Sequence, residues 1–161
     1  MTTPDTAHPR FAAALSELGL EARVRRFPDA TRTAAEAAAA IGCQLSQIVK
    51  SLMFEADGQP VLVLVDGASR VDTELVRAEL GAEKVRRADA DLVRATTGYA
   101  IGGVPPFGHA VRSRVLADRR LLEHDEVWAA AGTPHTVFPL PPRELIRYAD
   151  GTLADVRDSS A

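Results

Sequence analysis

Cysteine is almost absent from this sequence: Cys43 stands alone among 161 residues. The chain can therefore form no internal disulfide and build no thiolate metal cluster from its own residues, a composition that fits a reducing cytoplasm. Long hydrophobic runs are missing as well. The longest apolar stretch, Pro60 to Val65, falls far short of the ~20 residues that span a bilayer, so no membrane partner is expected. The first eight residues, Met1 to His8, lack a basic segment followed by an apolar core. They read as a disordered lead-in and not as a secretory signal. Nor is positive charge in excess, since the formal net charge is −3. The global electrostatic footprint of a nucleic-acid binder is lacking, and DNA is not an expected partner. Local basic clusters remain at Arg23, Arg25 and Arg26 and at Lys84, Arg86 and Arg87, although such short clusters are commonly solvated faces.

Several chemistries lack their residues. His8, His109 and His124 show no metal-ligand spacing and no Cys/His cluster exists for zinc, so neither metal nor cofactor is expected. No G-x-S-x-G elbow supports a serine nucleophile. Cys43, near a helix end, reads as a small buried filler.

What is present is the balance of one compact domain, with 46% hydrophobic and 25% charged residues in a chain too short for two. Phe11, Leu15 and Leu18 form one helical stripe ending at Gly19, and Val24 to Phe27 reads as a weak strand. After a turn over Pro28 to Thr31, Thr33-Ala-Ala-Glu36 has the form of a capping box opening an alanine-rich helix that runs to Gly42. Two apolar, β-branched runs, Gln47 to Phe54 and Pro60 to Val65, flank Glu55-Ala-Asp-Gly58 and predict a hairpin. The second run has no polar alternation, as in a strand buried on both faces. Helices are expected over Asp72 to Leu80, over Ala90 to Thr96 and from Pro141 onward, and strands over Lys84 to Arg87, Val111 to Leu116, Glu126 to Ala130 and Thr136 to Leu140. The chain beyond Asp155 is expected to fray.

Three features could carry chemistry. Lys50 sits between Ile48-Val49 and Leu52-Met53-Phe54, where a buried ammonium needs a negative partner. Alternation sets it on the face of Ile48 and Leu52, pointing into a cavity or a buried pair, or else guarding a strand edge. The run from Gly102 to Pro106 combines glycines that let a ligand approach the main chain with prolines that hold the loop rigid. It matches neither Gly-rich phosphate fingerprint, and it could also be a tight surface turn. In Gly132-Thr-Pro-His135 the histidine could bind a ligand or move a proton, or be merely structural.

Taken in order, Gln47-Ile-Val-Lys-Ser-Leu, Thr97-Gly-Tyr-Ala-Ile-Gly-Gly-Val-Pro-Pro-Phe-Gly and Val127-Trp-Ala-Ala-Ala-Gly-Thr-Pro-His-Thr-Val-Phe, with Thr33 to Ala39 and Ser69-Arg-Val-Asp72, resemble the YbaK/prolyl-tRNA synthetase editing-domain family. The likeness runs from about Phe11 to Tyr148. It implies a mixed α/β single domain over residues 9–156, built on a bent, barrel-like mixed sheet surrounded by helices, with a frayed tail at 157–161. It also implies an aminoacyl-tRNA deacylase that removes a small non-cognate amino acid, often from tRNA for proline, without a metal. Lys50 matches the family's essential lysine, thought to hold the terminal adenosine and its phosphate. Gly102 to Pro106 matches its Gly-x-x-x-Pro loop, putting Gly102, Gly103 and Pro106 beside Lys50 in the catalytic set. Ser51, Val104, Pro105, Gly132, Thr133 and His135 fall at implied substrate positions. The implied partners are the acceptor end of mischarged tRNA and prolyl-tRNA synthetase, and the implied attack is by water positioned by the loop and substrate hydroxyls. A non-catalytic module binding tRNA or a synthetase is the alternative. Some relatives carry Ser-Ala-Gly where this chain has Ala130-Ala-Gly132, and a polar aromatic near Phe27 is missing.

Overall fold

The computed structural model describes residues 7–27 and 33–158; the turn expected over Pro28 to Thr31 lies outside them. The predicted hairpin organises the fold. Strands β2 (Val49–Ala56) and β3 (Gln59–Asp66) pair antiparallel along their whole length, from Val49 opposite Asp66 to Ala56 opposite Gln59. Asp57 and Gly58 make the turn with φ of 49° and 83°, the left-handed pair whose twist matches that of the strands. The Asp57 carboxylate also accepts from the main-chain N–H groups of Glu83 and Lys84 at 3.0 and 2.9 Å. That ties the hairpin tip to β4 (Val85–Arg87).

The larger sheet has the order β4-β2-β3-β5-β8, with β5 at Arg114–Asp118 and β8 at Thr152–Ala154. Its β2 contacts are antiparallel, while β3–β5 and β5–β8 are parallel. As the unbroken apolar run implied, β3 is the central strand, and Val61 to Val65 are each no more than 2% exposed. Full burial of such side chains stabilises by ~1.5–3 kcal/mol apiece. A second sheet runs β1-β7-β6, from Arg25–Arg26, Thr136–Leu140 and Val127–Ala130. One parallel bridge, Ile48 with Trp128, joins the two sheets into a bent wall. The expected mixed α/β architecture is thus the observed one.

Local signals hold for the helices α1 (Pro9–Glu17), α2 (Ala34–Ile41), α3 (Thr73–Leu80), α4 (Ala90–Thr97) and α5 (Pro142–Ala149). The capping box forms: Glu36 N donates to Thr33 Oγ1 and Thr33 N to Glu36 Oε1, both at 3.1 Å. Asp72 and Asp89 cap α3 and α4 by accepting from main-chain N–H groups of the first turn, without the reciprocal bond. Among the described residues no helix is long and apolar enough to cross a membrane.

One expected boundary is corrected and one strand is added. Strand β5 starts at Arg114 and not Val111, because Val111 N bonds back to Thr96 O at 2.8 Å and its side chain is exposed. β8 went unforeseen: it is three residues long and exists only by pairing with β5. The described residues nearest the two ends are held to the body of the fold by main-chain bonds. Ala7 is buried and His8 N donates to Ala131 O at 3.0 Å. At the other end, Asp158 N donates to Arg70 O at 2.7 Å and Arg157 N to Asp118 Oδ2 at 3.2 Å.

Leu62, fully buried at the middle of β3, reports on this core. Leu62→Ala is expected to destabilise by ~2–5 kcal/mol, seen as a lower urea midpoint. An unchanged midpoint would mean that β3 is not the packed centre.

Candidate functional site

The edge of β2 that faces away from β3 is covered by two different strands at its two ends. β4 pairs only with Phe54 to Ala56, and Trp128 of β6 meets only Ile48. Between them, at residues 49–52, that edge pairs with no strand among the described residues, and a cavity of about 500 Å³ opens there. This is the size range of small-molecule sites. Its walls come from β2 itself, from Arg87 and Ala88 after β4, from Thr33, Ala34 and Ala37 of the α2 start, from Trp128 and Ala130 of β6, from Ile101, Gly102 and Val104 of the glycine–proline loop, and from Thr133 to Val137. An open strand edge offers main-chain N–H and C=O groups to whatever enters.

Adjacent β2 residues point to opposite faces. Ser51 shares the face of Val49 and Met53, in the same apolar cluster as Val93, Tyr99 and Val104; it therefore faces the loop. Lys50 shares the face of Leu52 and Phe54 and is half-buried at the cavity wall. Its ammonium donates to the Ser69 carbonyl. Burial pushes the Lys50 pKa down from the usual lysine value, the buried Asp66 carboxylate opposes that shift, and Arg70 and Arg87 add to it. The negative partner that the sequence demanded is thus a carbonyl oxygen with a carboxylate behind it.

The glycine–proline loop is clamped. Tyr99 Oη donates to Gly108 O at 2.8 Å, and the Tyr99 pKa is pushed up to about 12 by burial, Arg10 opposing, so the phenol keeps its proton. His109 Nε2 donates to Pro105 O at 2.7 Å. Burial lowers the His109 pKa against the pull of that carbonyl, which favours the neutral ring. Gly103 N closes a turn on Ala100 O at 3.0 Å. The two loop glycines serve different ends. Gly102 has φ +92° with open space around its α-carbon, whereas a β-carbon on Gly103 would lie 2.9 Å from the Thr133 main chain. The loop and the Thr133–Pro134 segment are in backbone contact, and no side chain fits between them.

The candidate residues divide accordingly. Lys50, Ser51, Gly102, Val104, Thr133 and His135 line one cavity. Gly103, Pro105 and Pro106 are buried beneath it and shape the loop. Gly132 is a packing position and does not line the cavity: it has φ +98°, and its α-carbon faces His8, Tyr99 and Phe11, with a β-carbon only 2.4 Å from His8 Cβ. Thr133 Oγ1 lies 2.7 Å from Thr136 Oγ1 and accepts from His135 N at 3.2 Å. Two buried polar atoms at the cavity have no partner, Ser51 Oγ and His135 Nδ1. Such a group costs about 1–3 kcal/mol when left unsatisfied; both atoms lie behind the cavity surface and not on it.

Sequence reasoning did not single out Trp128, Arg25 or Arg87 as site residues. The Arg25 guanidinium sits 5.6 Å from the Trp128 ring centre and that of Arg87 5.5 Å from Phe54, cation–π distances. Their neighbours are neutralised, Arg23 by Glu126 at 3.4 Å and Arg86 by Glu55 at 2.8 Å. Of these arginines Arg87 lines the cavity, while Arg25 stacks on Trp128, a residue of its wall. Only the pairing of distant segments reveals this. Among the described residues no group of three or more His, Cys, Asp or Glu side chains converges as a metal site would.

A family model described as the aminoacyl-tRNA editing domain matches residues 28–148. An uncharacterized protein of Bacillus subtilis (strain 168), YwhH, is 35% identical over 127 residues, covering 78% of this chain and 80% of that protein. A proline–tRNA ligase of Nitratidesulfovibrio vulgaris (strain DP4) is 38% identical over 97 residues, 60% of this chain but 17% of the ligase, so the likeness is to a small part of that synthetase. The crystal structure of a candidate trans-editing enzyme for prolyl-tRNA synthetase superposes with a TM-score of 0.89 at 39% identity, covering 96% of this chain and 100% of the other.

Backbone contact at Gly103 makes a direct check of the loop geometry. Gly103→Ala is expected to destabilise by ~1–3 kcal/mol through overpacking against Thr133, measured by denaturant unfolding. Stability equal to the parent's would show that the two segments do not touch.

Proposed function

The chain belongs to the aminoacyl-tRNA editing domain family, and from that membership we propose that it is a deacylase acting in trans on mischarged tRNA, with tRNA for proline as the first candidate. The observation that carries this reading is the one cavity lined together by Lys50, by Gly102 and Val104 of a rigid glycine–proline loop, and by Ser51, Thr133 and His135. The editing unit is residues 9–156.

An aminoacyl ester at a tRNA 3′ end has a phosphodiester on one side and an α-amino group with a small side chain on the other. Lys50, a compact point charge, suits the phosphate and the terminal adenosine. Arg87 at the rim, and Arg25 over Trp128, add positive potential where the acceptor strand enters. Ser51, Thr133 and His135 supply hydrogen bonds to the amino acid and ribose, while Val104 and Ala130 limit the side chain's size. The main chain of Gly102 to Pro106 meets the ester. Water attacks the carbonyl carbon, the carbonyl oxygen takes up negative charge against the loop's preorganised dipoles, and the carbon–oxygen bond to the ribose breaks, with a proton passing to the departing hydroxyl. Water, held by the loop and substrate hydroxyls, is the nucleophile, and Lys50 binds and orients. No metal takes part, and the setting is the cytoplasm beside prolyl-tRNA synthetase. A synthetase pocket separates side chains differing by one methylene only ~10–200-fold, so a second site with its own size limit has a task to perform.

A panel of tRNAs mischarged with alanine, cysteine, serine, threonine or 2-aminobutyrate tests the reading. At least one is expected to be hydrolysed, and no turnover on any would favour a module that only binds tRNA or a synthetase. Lys50→Ala is expected to lower the rate at least 100-fold with an unchanged circular dichroism spectrum, and near-parental activity would place the site elsewhere. Chelator treatment is expected to leave the rate unchanged, whereas inactivation by it would overturn the metal-free mechanism.

A further inference from the structure

One fully buried charge at this site has no role in the mechanism above. Asp66 ends β3, directly opposite Val49, and is 0% exposed. We propose that Asp66 is a positioning residue: through the Asp66–Ser69 turn it fixes the carbonyl that holds the Lys50 ammonium and so sets where that ammonium sits beside the cavity. The inference rests on the role given to Lys50 in deacylation.

Both carboxylate oxygens are spent on the turn. Oδ1 accepts from Ala68 N at 2.8 Å and Oδ2 from Ser69 Oγ at 2.8 Å, while Ser69 N closes on Asp66 O at 3.1 Å. The turn is in its own right pinned to the start of β2. Gly67 N donates to Ile48 O at 2.7 Å, and Gly67 lies so close that a β-carbon would stand 2.6 Å from Leu45 O and 3.1 Å from Ile48 Cβ. The outcome of these constraints is the orientation of one carbonyl, that of Ser69, which accepts from Lys50.

An asparagine could occupy the same space and make a similar turn, so hydrogen bonding alone does not explain a carboxylate where burial penalises charge. The surroundings of Lys50 do. The charged groups that bear on its ammonium are Asp66 at the end of β3, Arg70 just after the turn and Arg87 at the end of β4; the two arginines disfavour it and Asp66 favours it. Of these three groups Asp66 is the one that favours the charged ammonium, and it is also the one that builds the turn carrying the Ser69 carbonyl.

Because Lys50 and Lys84 are the only lysines in the chain, the charge can be read directly. Lysine labelled with carbon-13 gives two side-chain signals by nuclear magnetic resonance, assigned with Lys50→Ala. Asp66→Asn is expected to lower the titration midpoint of Lys50, since it removes the group that favours the ammonium, and to leave that of Lys84 in place. An unmoved Lys50 midpoint overturns the proposal. In kinetics, Asp66→Asn should cost at least tenfold in kcat/KM alone and nothing further in a Lys50→Ala background, the non-additivity of residues acting through one another; an equal loss in both backgrounds also overturns it. Should Asp66→Asn fail to fold, the parent protein carries the test. The Ser69 carbonyl and Asp66 carboxyl carbons must then titrate with Lys50, and resonances that ignore it overturn the proposal. Failure of every mischarged tRNA would sink the deacylase reading without touching the resonance result, so the two can fail separately.

Discussion

The register between β2 and β3 is the constraint on which the site depends. Side chains alternate along a strand, so a slip of one residue would exchange every face. Here that exchange would turn Ser51 away from the glycine–proline loop and Lys50 away from the Ser69 carbonyl. The register is fixed from both ends. At the tip, the Asp57-Gly58 turn allows one pairing and is anchored to β4 through the Asp57 carboxylate. At the base, Gly67 N holds Ile48 O. Between them the apolar residues of β3 are buried on both faces, and any slip would have to rebuild two core clusters at once, one holding Leu62 and Leu64 and the other Val61 and Val63.

The same hairpin accounts for the cavity. β2 is a long strand whose outer edge is shared by short neighbours, and the gap between them is the opening. Where β4 ends, Arg87 and Ala88 line it; where β6 arrives, Trp128 and Ala130 do. The proposed site thus lies where sheet pairing stops, which is also where an open edge would otherwise invite another chain. Basic residues border that edge on both sides.

What the sequence made legible was local. The Asp-Gly turn, the Thr33–Glu36 capping box and the unalternating run of β3 are each decided within a few residues, and each is found where expected. Lys50 stood out because an ammonium among β-branched neighbours needs an explanation, and the glycine–proline run because no regular element tolerates it. What was not legible depends on segments far apart in the chain. β8 has no pattern of its own and exists only beside β5. Asp66 drew no notice, because its part in the turn that brings the Ser69 carbonyl to Lys50 is not written in its neighbours. Arg25 and Arg87 belonged to clusters that read as solvated faces, and only their stacking on Trp128 and Phe54 separates them from the paired Arg23 and Arg86. Gly132 sat within a motif that suggested substrate contact, yet its positive φ and the nearness of His8 Cβ make it a packing position under α1.

Charge is distributed with the same economy. The net charge is −3, yet the chain carries seventeen arginines against two lysines, and the lysine at the cavity is the one cation there whose charge state depends strongly on its surroundings. An arginine at position 50 would keep its charge unaided. It would also bring a wide planar fork into a wall built for a compact ammonium. Keeping a lysine therefore transfers the burden to its neighbours, and the glycine–proline loop shows the same logic in uncharged form. Tyr99, His109 and the Gly103–Thr133 contact hold the loop's main chain in place before any ligand arrives, so dipoles directed at a developing oxyanion need not reorganise as it forms. Both halves of the proposed site thus depend on fixed geometry around weakly reactive groups, which is what the proposed attack by water requires.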